Sequence, residues 1–206
     1  MINTKIESLF PVPVQITTCN DLLKQPLIDH CVAQNDATRN ANIGNWRSRS
    51  SCVLEAPELD ELKEFVIQSI EIYKQTILNN TDVDVYITQS WLNFSESGQY
   101  HHVHYHPNSI VSGVFYIQTT DEDKITFHSP YEEMYRLRIQ PKQFSYLNSP
   151  TWWYPATQGS LLLFPSNLRH NVETVTASST RISLSFNTFV RGAMGSEYDS
   201  TQLILK

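Results

Sequence analysis

Four of the seven histidines fall within six consecutive positions, as His101, His102, His104 and His106 in the run GQYHHVHYHPNS. A fifth, His170, stands in FPSNLRHNVE, directly after the apolar run GSLLLFP. Side chains alternate faces along a strand, which puts His102, His104 and His106 on one face and His101 on the other. His104 and His106 can then grip one ion from one side, and His170, from a distant strand, can supply a third ligand. Imidazole suits zinc, copper, iron and nickel. Three protein ligands leave coordination positions open, the condition for a catalytic rather than a closed structural metal. The pattern predicts a transition-metal centre on His104, His106 and His170, with His101 and His128 outside the ligand set.

Eleven residues after His170 comes Arg181, in TRISLSFN, with Ser183 two positions on and therefore on the same face. An arginine turned inward from an apolar strand needs a partner, because an unpaired buried charge is costly. That partner is either a structural carboxylate or the carboxylate of a ligand, gripped through two parallel hydrogen bonds. The nearby metal pattern favours the ligand.

Elements that could hold these residues are visible along the chain. Pro11–Thr18 reads as an edge strand, where proline is tolerated. Asn20 or Asp21 is suited to cap a short helix reaching about Ala33. Residues 34–52 are polar and aperiodic and read as a long loop, either disordered or a lid carrying Trp46, Arg47 and Arg49. Pro57 opens the clearest helix, with Leu59, Leu62, Phe65, Val66, Ile70, Tyr73 and Ile77 at helical spacing through Asn79. After residue 82 short β-branched and aromatic runs recur: VDVYITQSWLNF, SIVSGVFYI, KITFHS, YRLRI, FSYL, GSLLLFP, RHNVETV and TRISLSFNTFV. They fit two packed antiparallel sheets. The predicted fold is mainly β with N-terminal helices, a double-stranded β-helix (jelly roll, cupin-like barrel) braced by helices. One domain is expected: a mostly helical supporting segment (1–81), a jelly-roll core (82–191) and a C-terminal tail (192–206). Trp152, Trp153 and Tyr154 read as an aromatic loop beside the mouth or over the core.

Composition narrows the function classes. The 206 residues are 40% hydrophobic and 17% charged, enough for a core, and the net charge of −6 disfavours bulk attraction to nucleic acid. No apolar run is long enough for a membrane span. Cys19, Cys31 and Cys52 have neither disulfide-framework nor zinc-knuckle spacing, and read as reduced thiols of a cytoplasmic protein. No Gly-rich phosphate loop, Gly-x-Ser-x-Gly elbow or Cys-His pairing appears.

Together these residues resemble the iron(II)- and 2-oxoglutarate-dependent oxygenases. That superfamily carries an early His-x-Asp or His-x-Glu pair, a distal His, and an Arg-x-Ser about ten residues later. Here the order is His104-Tyr105-His106, His170, then Arg181-Ile182-Ser183. The phrases SWLNFSESGQYHHVHYHPNSIVSGVFYI, GSLLLFPSNLRHNVE and RISLSFN, with an opening LFPVPV, are similar to a subfamily found in bacteria and phages. The resemblance implies iron(II), for which zinc or nickel can substitute in a crystal, and 2-oxoglutarate as co-substrate. It implies Arg181 and Ser183 on the far carboxylate, with Asn93 and Tyr116 available to the metal-binding end. One departure stands out: the superfamily's carboxylate position is His106, so three neutral ligands leave the iron at +2. Glu173 could be an outer partner of the site.

A second resemblance is to the cupins, through Gly98 before His104-x-His106 and Gly159, Pro165 and His170 further on. The cupin glutamate is absent and Asn167 replaces a glycine. Three functions therefore compete: an oxygenase hydroxylating a C–H bond of a small molecule or peptide, a cupin-like metalloenzyme that does not use 2-oxoglutarate, and a non-catalytic metal-binding module. A homodimer stays open.

Overall fold

The computed structural model describes residues 2–37, 39–131 and 139–206. Two antiparallel sheets face each other, and two helices cover the outer side of the larger one. The helices are α1 (Gln25–Ala37) and α2 (Asp60–Tyr73), the latter continued by a π turn at Lys74–Leu78. The larger sheet contains β1 (Gln15–Thr18), β2 (Arg39–Ala41), β3 (Trp46–Ser48), β4 (Val83–Ser95), β6 (Val111–Gln118), β9 (Ser160–Pro165) and β11 (Arg181–Met194). Its order is β1-β9-β6-β11-β4-β3-β2, with β12 (Leu203–Leu205) pairing the far end of β11. The smaller sheet runs β5-β10-β7-β8, from β5 (His101–His104), β10 (His170–Val172), β7 (Lys124–His128) and β8 (Thr151–Pro155). The predicted double-stranded β-helix is the observed one.

The period-2 pattern of the central strands divides the apolar residues between two cores. Ile182, Leu184 and Phe186 of β11 and Leu92 and Phe94 of β4 pack toward α2, against Leu62, Val66, Ile70 and Tyr73. Val114, Tyr116, Ile125, Phe127, Leu162 and Phe164 form a second cluster between the sheets. Gly113 allows the first core to close. A Cβ there would lie 2.2 Å from the Phe186 ring and 2.7 Å from Leu163. Phe186 is its cross-strand partner on β11, so the strand tolerates glycine because an aromatic ring covers it.

Several expectations are revised. α1 begins at Gln25 and not behind Asn20 or Asp21, which form a separate 3-10 turn. Pro26 sits in the first turn, where a missing N–H costs no intrahelical bond. Residues 34–52 are not one loop. α1 runs on to Ala37, and β2 and β3 form a hairpin whose Trp46 and Arg47 pair Phe94 and Asn93 of β4. Buried Ser48 accepts the Leu92 N–H at 3.0 Å, which ties this hairpin into the sheet. The first 81 residues thus add three strands as well as helices, and the C-terminal residues add β12.

The aromatic segment Thr151–Pro155 is strand β8, paired with β7. FSYL at 144–147 is instead irregular, with the Asn148 side chain bonded to Ser145 N and Gln143 O in a local turn. Strand propensity there is overridden, and among the described residues no strand pairs with it. YRLRI lies outside the described residues except for Ile139. No helix among the described residues is long and apolar enough to cross a membrane.

Candidate metal centre

The smaller sheet brings the three imidazoles together. His104, at the end of β5, is the register partner of His170, the first residue of β10. His106 lies just past β5, fixed by its own N–H to the Ser166 carbonyl at 2.8 Å. One ligand atom from each of His104, His106 and His170 lies within 4.8 Å of the others. Ring centroids are 4.3 Å apart for His104 and His170, and 5.1 Å for His106 with either.

All three rings are held through Nδ1. The Nδ1 of His104 lies 2.8 Å from the His102 carbonyl, that of His170 2.9 Å from the Leu168 carbonyl, and that of His106 2.5 Å from Asn187 Oδ1. A carbonyl oxygen only accepts, so each Nδ1 carries the proton and each Nε2 keeps a lone pair. Nε2 of His106 is buried with no hydrogen-bond partner among the described residues. Burial in each case, reinforced by neighbouring imidazoles at His104 and His170, pushes the three rings toward the neutral form. His104 is lowered to about 4, His106 is lowered, and His170 falls well below its ordinary value. Three neutral, convergent imidazoles, one of them with a buried nitrogen lacking a partner, fit a borderline-soft divalent ion.

His101 departs from the face expected of it. Its ring stacks on His104 at 4.2 Å between centroids, and it lines the cavity together with the triad and Arg181. A register irregularity between β10 and β5, at His170/Val172, breaks the simple alternation. Burial lowers its pKa to about 3, with the neighbouring histidines and Arg181 adding to the effect. His101, His102 and His104 form a second group within 4.8 Å. It shares His104, whose remaining nitrogen cannot serve two ions, so the groups are alternatives.

The larger sheet supplies the opposite wall as a grid. In register across β4, β11 and β6 stand Asn93, Ser183 and Tyr116, then Trp91, Ser185 and Val114, then Gln89, Asn187 and Ser112. Arg181 precedes them opposite Ser95, is only 4% exposed, and among the described residues has no hydrogen-bond partner at Nε or Nη1. Its guanidinium lies 5.3 Å from the Tyr116 ring centroid. Asn93 donates Nδ2 to Ser185 at 2.9 Å, while its Oδ1 is buried and unpartnered, as is the Tyr116 hydroxyl. Burial pushes that phenol up to about 12, against the pull of Arg181. Asn45, from the β2–β3 turn, lines the same cavity with an unpartnered Oδ1. A buried cation and several polar atoms without partners fit an anionic ligand bearing oxygens.

Glu173 is not part of the site. It pairs Lys124 at 3.0 Å and accepts from Thr126. His128 is bonded to Asn171 at 2.8 Å, outside the cavity lining. Sequence reasoning missed Asn45, Trp91, His101, Ser112 and Asn187. Trp91 stacks on the His106 ring at 5.8 Å.

Residues 89–187, just under half the chain, match the family described as "Putative 2OG-Fe(II) oxygenase". No curated protein matches the sequence. Among solved structures, a Pseudomonas putida prolyl-4-hydroxylase is similar at 15% identity and TM-score 0.61, covering 88% of this chain and 94% of its own. A Trichoplax adhaerens prolyl hydroxylase, solved with a hypoxia inducible factor peptide fragment, is similar at 14% identity and TM-score 0.58, with 85% and 83% covered. HygX of Streptomyces hygroscopicus, solved with nickel and 2-oxoglutarate, is similar at 8% identity and TM-score 0.56, with 86% and 82% covered. At such identities these likenesses concern the fold, and the family match adds the segment that carries the histidines and Arg181. Residues 89–187 thus match the 2-oxoglutarate- and iron(II)-dependent oxygenases, and the chain as a whole shares the fold of the solved structures named above.

Proposed function

We propose that His104, His106 and His170 hold the iron(II) of this oxygenase through their Nε2 atoms, and that Arg181 and Ser183 hold the far carboxylate of 2-oxoglutarate. The observation that carries this reading is a buried guanidinium whose Nε and Nη1 lack partners and a buried imidazole nitrogen without one, in residues lining the same cavity. When bound, iron and 2-oxoglutarate supply activation of O2 at the expense of oxidative decarboxylation to succinate, and the outcome taken here is hydroxylation of a substrate C–H bond.

The protein's part is orientation and exclusion of water. The three Nδ1 hydrogen bonds fix the rings so that lone pairs rather than N–H groups face the ion. Arg181 gains a carboxylate and loses the cost of standing unpaired, so co-substrate binding draws on a penalty already built into the fold. Asn93 and Tyr116, flanking Ser183, offer an acceptor and a hydroxyl to the same molecule. Trp91 covers one side of His106 and shields it from solvent. The ligand set is neutral, so a dianionic co-substrate balances the charge of the ion, which favours binding of the anion. The substrate is a small molecule or a peptide.

Anaerobic addition of iron(II) and 2-oxoglutarate to metal-free protein tests this reading. A visible charge-transfer band is expected, together with slow succinate formation in air. No band and no succinate would overturn it. Arg181→Ala should abolish the band at moderate 2-oxoglutarate while leaving metal affinity intact. An indifferent Arg181→Ala would instead favour the cupin-like reading.

A further inference from the structure

The hydrogen bonds behind His106 differ in kind from those behind its two partners. His104 and His170 give their Nδ1 protons to backbone carbonyls, which the chain fixes. His106 gives its proton to a side chain, Asn187 Oδ1, at 2.5 Å. An amide can turn. Were the amide nitrogen to face His106, Nδ1 would have to accept, the ring proton would move to Nε2, and that nitrogen could no longer bind a metal. The orientation of Asn187 therefore decides whether His106 can be a ligand.

The surroundings bear on that orientation. Ser112 Oγ donates to the same Oδ1 at 2.9 Å. Behind it, Ser112 and Ser166 are 2.8 Å apart and Ser166 and Ser109 2.7 Å apart. Each hydroxyl has one proton. Ser166 gives its proton to Ser109 and Ser109 its own to the Val111 carbonyl at 3.3 Å, so Ser112 receives none from them and its single proton is directed at Asn187 Oδ1 and the nearby Ser166 Oγ. Ser112 and Ser166 are fully buried, so water does not compete. Asn187 is brought to this point by β11 itself: it lies on the cavity-facing side, six residues beyond Arg181, where a register shift against β4 falls between Asn187 and Thr188. Such irregularities re-aim side chains beside functional sites.

We infer that Asn187 is a positioning residue of the metal centre: its amide oxygen, anchored by Ser112, holds the Nδ1 proton of His106 and keeps Nε2 available to the ion. The inference rests on the proposed role of His106 as a ligand. It also means that a neutral amide stands where a carboxylate would add negative charge, so the whole ligand assembly is uncharged.

The test is titration of the metal-free protein with cobalt(II), read as a dissociation constant and as the visible spectrum of the bound ion. It uses wild type, His106→Ala, Asn187→Ala, Asn187→Asp and Ser112→Ala, with thermal melts of each metal-free variant. Asn187→Ala should weaken binding about 10- to 100-fold, the range for loss of a group that orients a ligand. Asn187→Asp, which can only accept, should restore affinity to the wild-type level or above and shift the cobalt spectrum. Ser112→Ala should weaken binding by a smaller factor. Wild-type affinity and spectrum in Asn187→Ala, with His106→Ala impaired, would leave the metal site standing and overturn the role of Asn187. Equal losses in Asn187→Ala and Asn187→Asp that follow their melting temperatures would also overturn it, as a purely structural effect. Unimpaired binding in His106→Ala would overturn the ligand assignment itself, and this inference with it.

Discussion

On one side of β11, Ile182, Leu184 and Phe186 lock into the helices. On the other, Arg181, Ser183 and Ser185 line the cavity and Asn187 reaches His106. One strand builds both, because its side chains alternate. The helix-facing side is satisfied by packing. The cavity side is left incomplete: Asn45 Oδ1, Asn93 Oδ1, His106 Nε2, Tyr116 Oη and Arg181 Nε and Nη1 are all buried without partners. Native structures rarely leave buried polar groups unpaired, so their concentration on one side marks where a ligand belongs. Stability comes from one face and function from the other, at some cost to stability.

Substitutions on the two faces should separate these contributions. The largest stability effect is expected on the helix side. Phe186→Ala should destabilise by about 3–5 kcal/mol in denaturant unfolding, through a cavity under α2, while cobalt affinity of the folded fraction stays near wild type. On the cavity side Arg181→Met should do the reverse. Affinity for 2-oxoglutarate should fall by about 2–5 kcal/mol, the cost of losing a buried charge–carboxylate pair, and the ligand-free protein should be as stable as wild type or more stable, since an unpaired buried cation is gone. A lower melting temperature for Arg181→Met would break the comparison.

Gly113→Ala should cost about 1–3 kcal/mol by crowding Phe186 and Leu163, read as a shift in the urea midpoint without loss of metal binding. A broader effect is with pH. His101 and His104 are lowered to about 3 and about 4 in the fold, by burial first. Between the ordinary histidine value near 6.5 and those values, the unfolded chain binds protons that the folded chain refuses. Stability of the metal-free protein should therefore fall as pH drops through that window and level off below it. His101→Phe should flatten the decline. Melting temperatures measured across the window check this.

Much of this was legible in the amino-acid sequence, because it rests on period and spacing. The stripe Leu62, Val66, Ile70, Tyr73 marks α2, and the runs around Val111, Ser160 and Arg181 mark central strands. Ser185 and Asn187 lie on the same alternation as Arg181 and Ser183, so the rest of the cavity stripe was available from the same pattern. What local pattern could not show depends on pairing between distant segments. Trp152 and Trp153 are strand residues because β7 is there to pair with them, and the hairpin at Trp46 exists because β4 offers an edge. His101 stacks on His104 because β10 and β5 slip in register. The departure at His106 was visible as a residue type, but its partner was not, since Asn187 lies 81 residues away.

The central claim is that three imidazole nitrogens from the smaller sheet converge on one ion opposite Arg181. A crystal structure of the protein loaded anaerobically with iron(II) and 2-oxoglutarate, with anomalous data at the iron edge, tests it most directly. One anomalous peak is expected about 2.1 Å from Nε2 of each of His104, His106 and His170, with a diacid reaching from the ion to Arg181 and Ser183. An ion lacking His106 as a ligand, or one held by His101 and His102 instead, would contradict it.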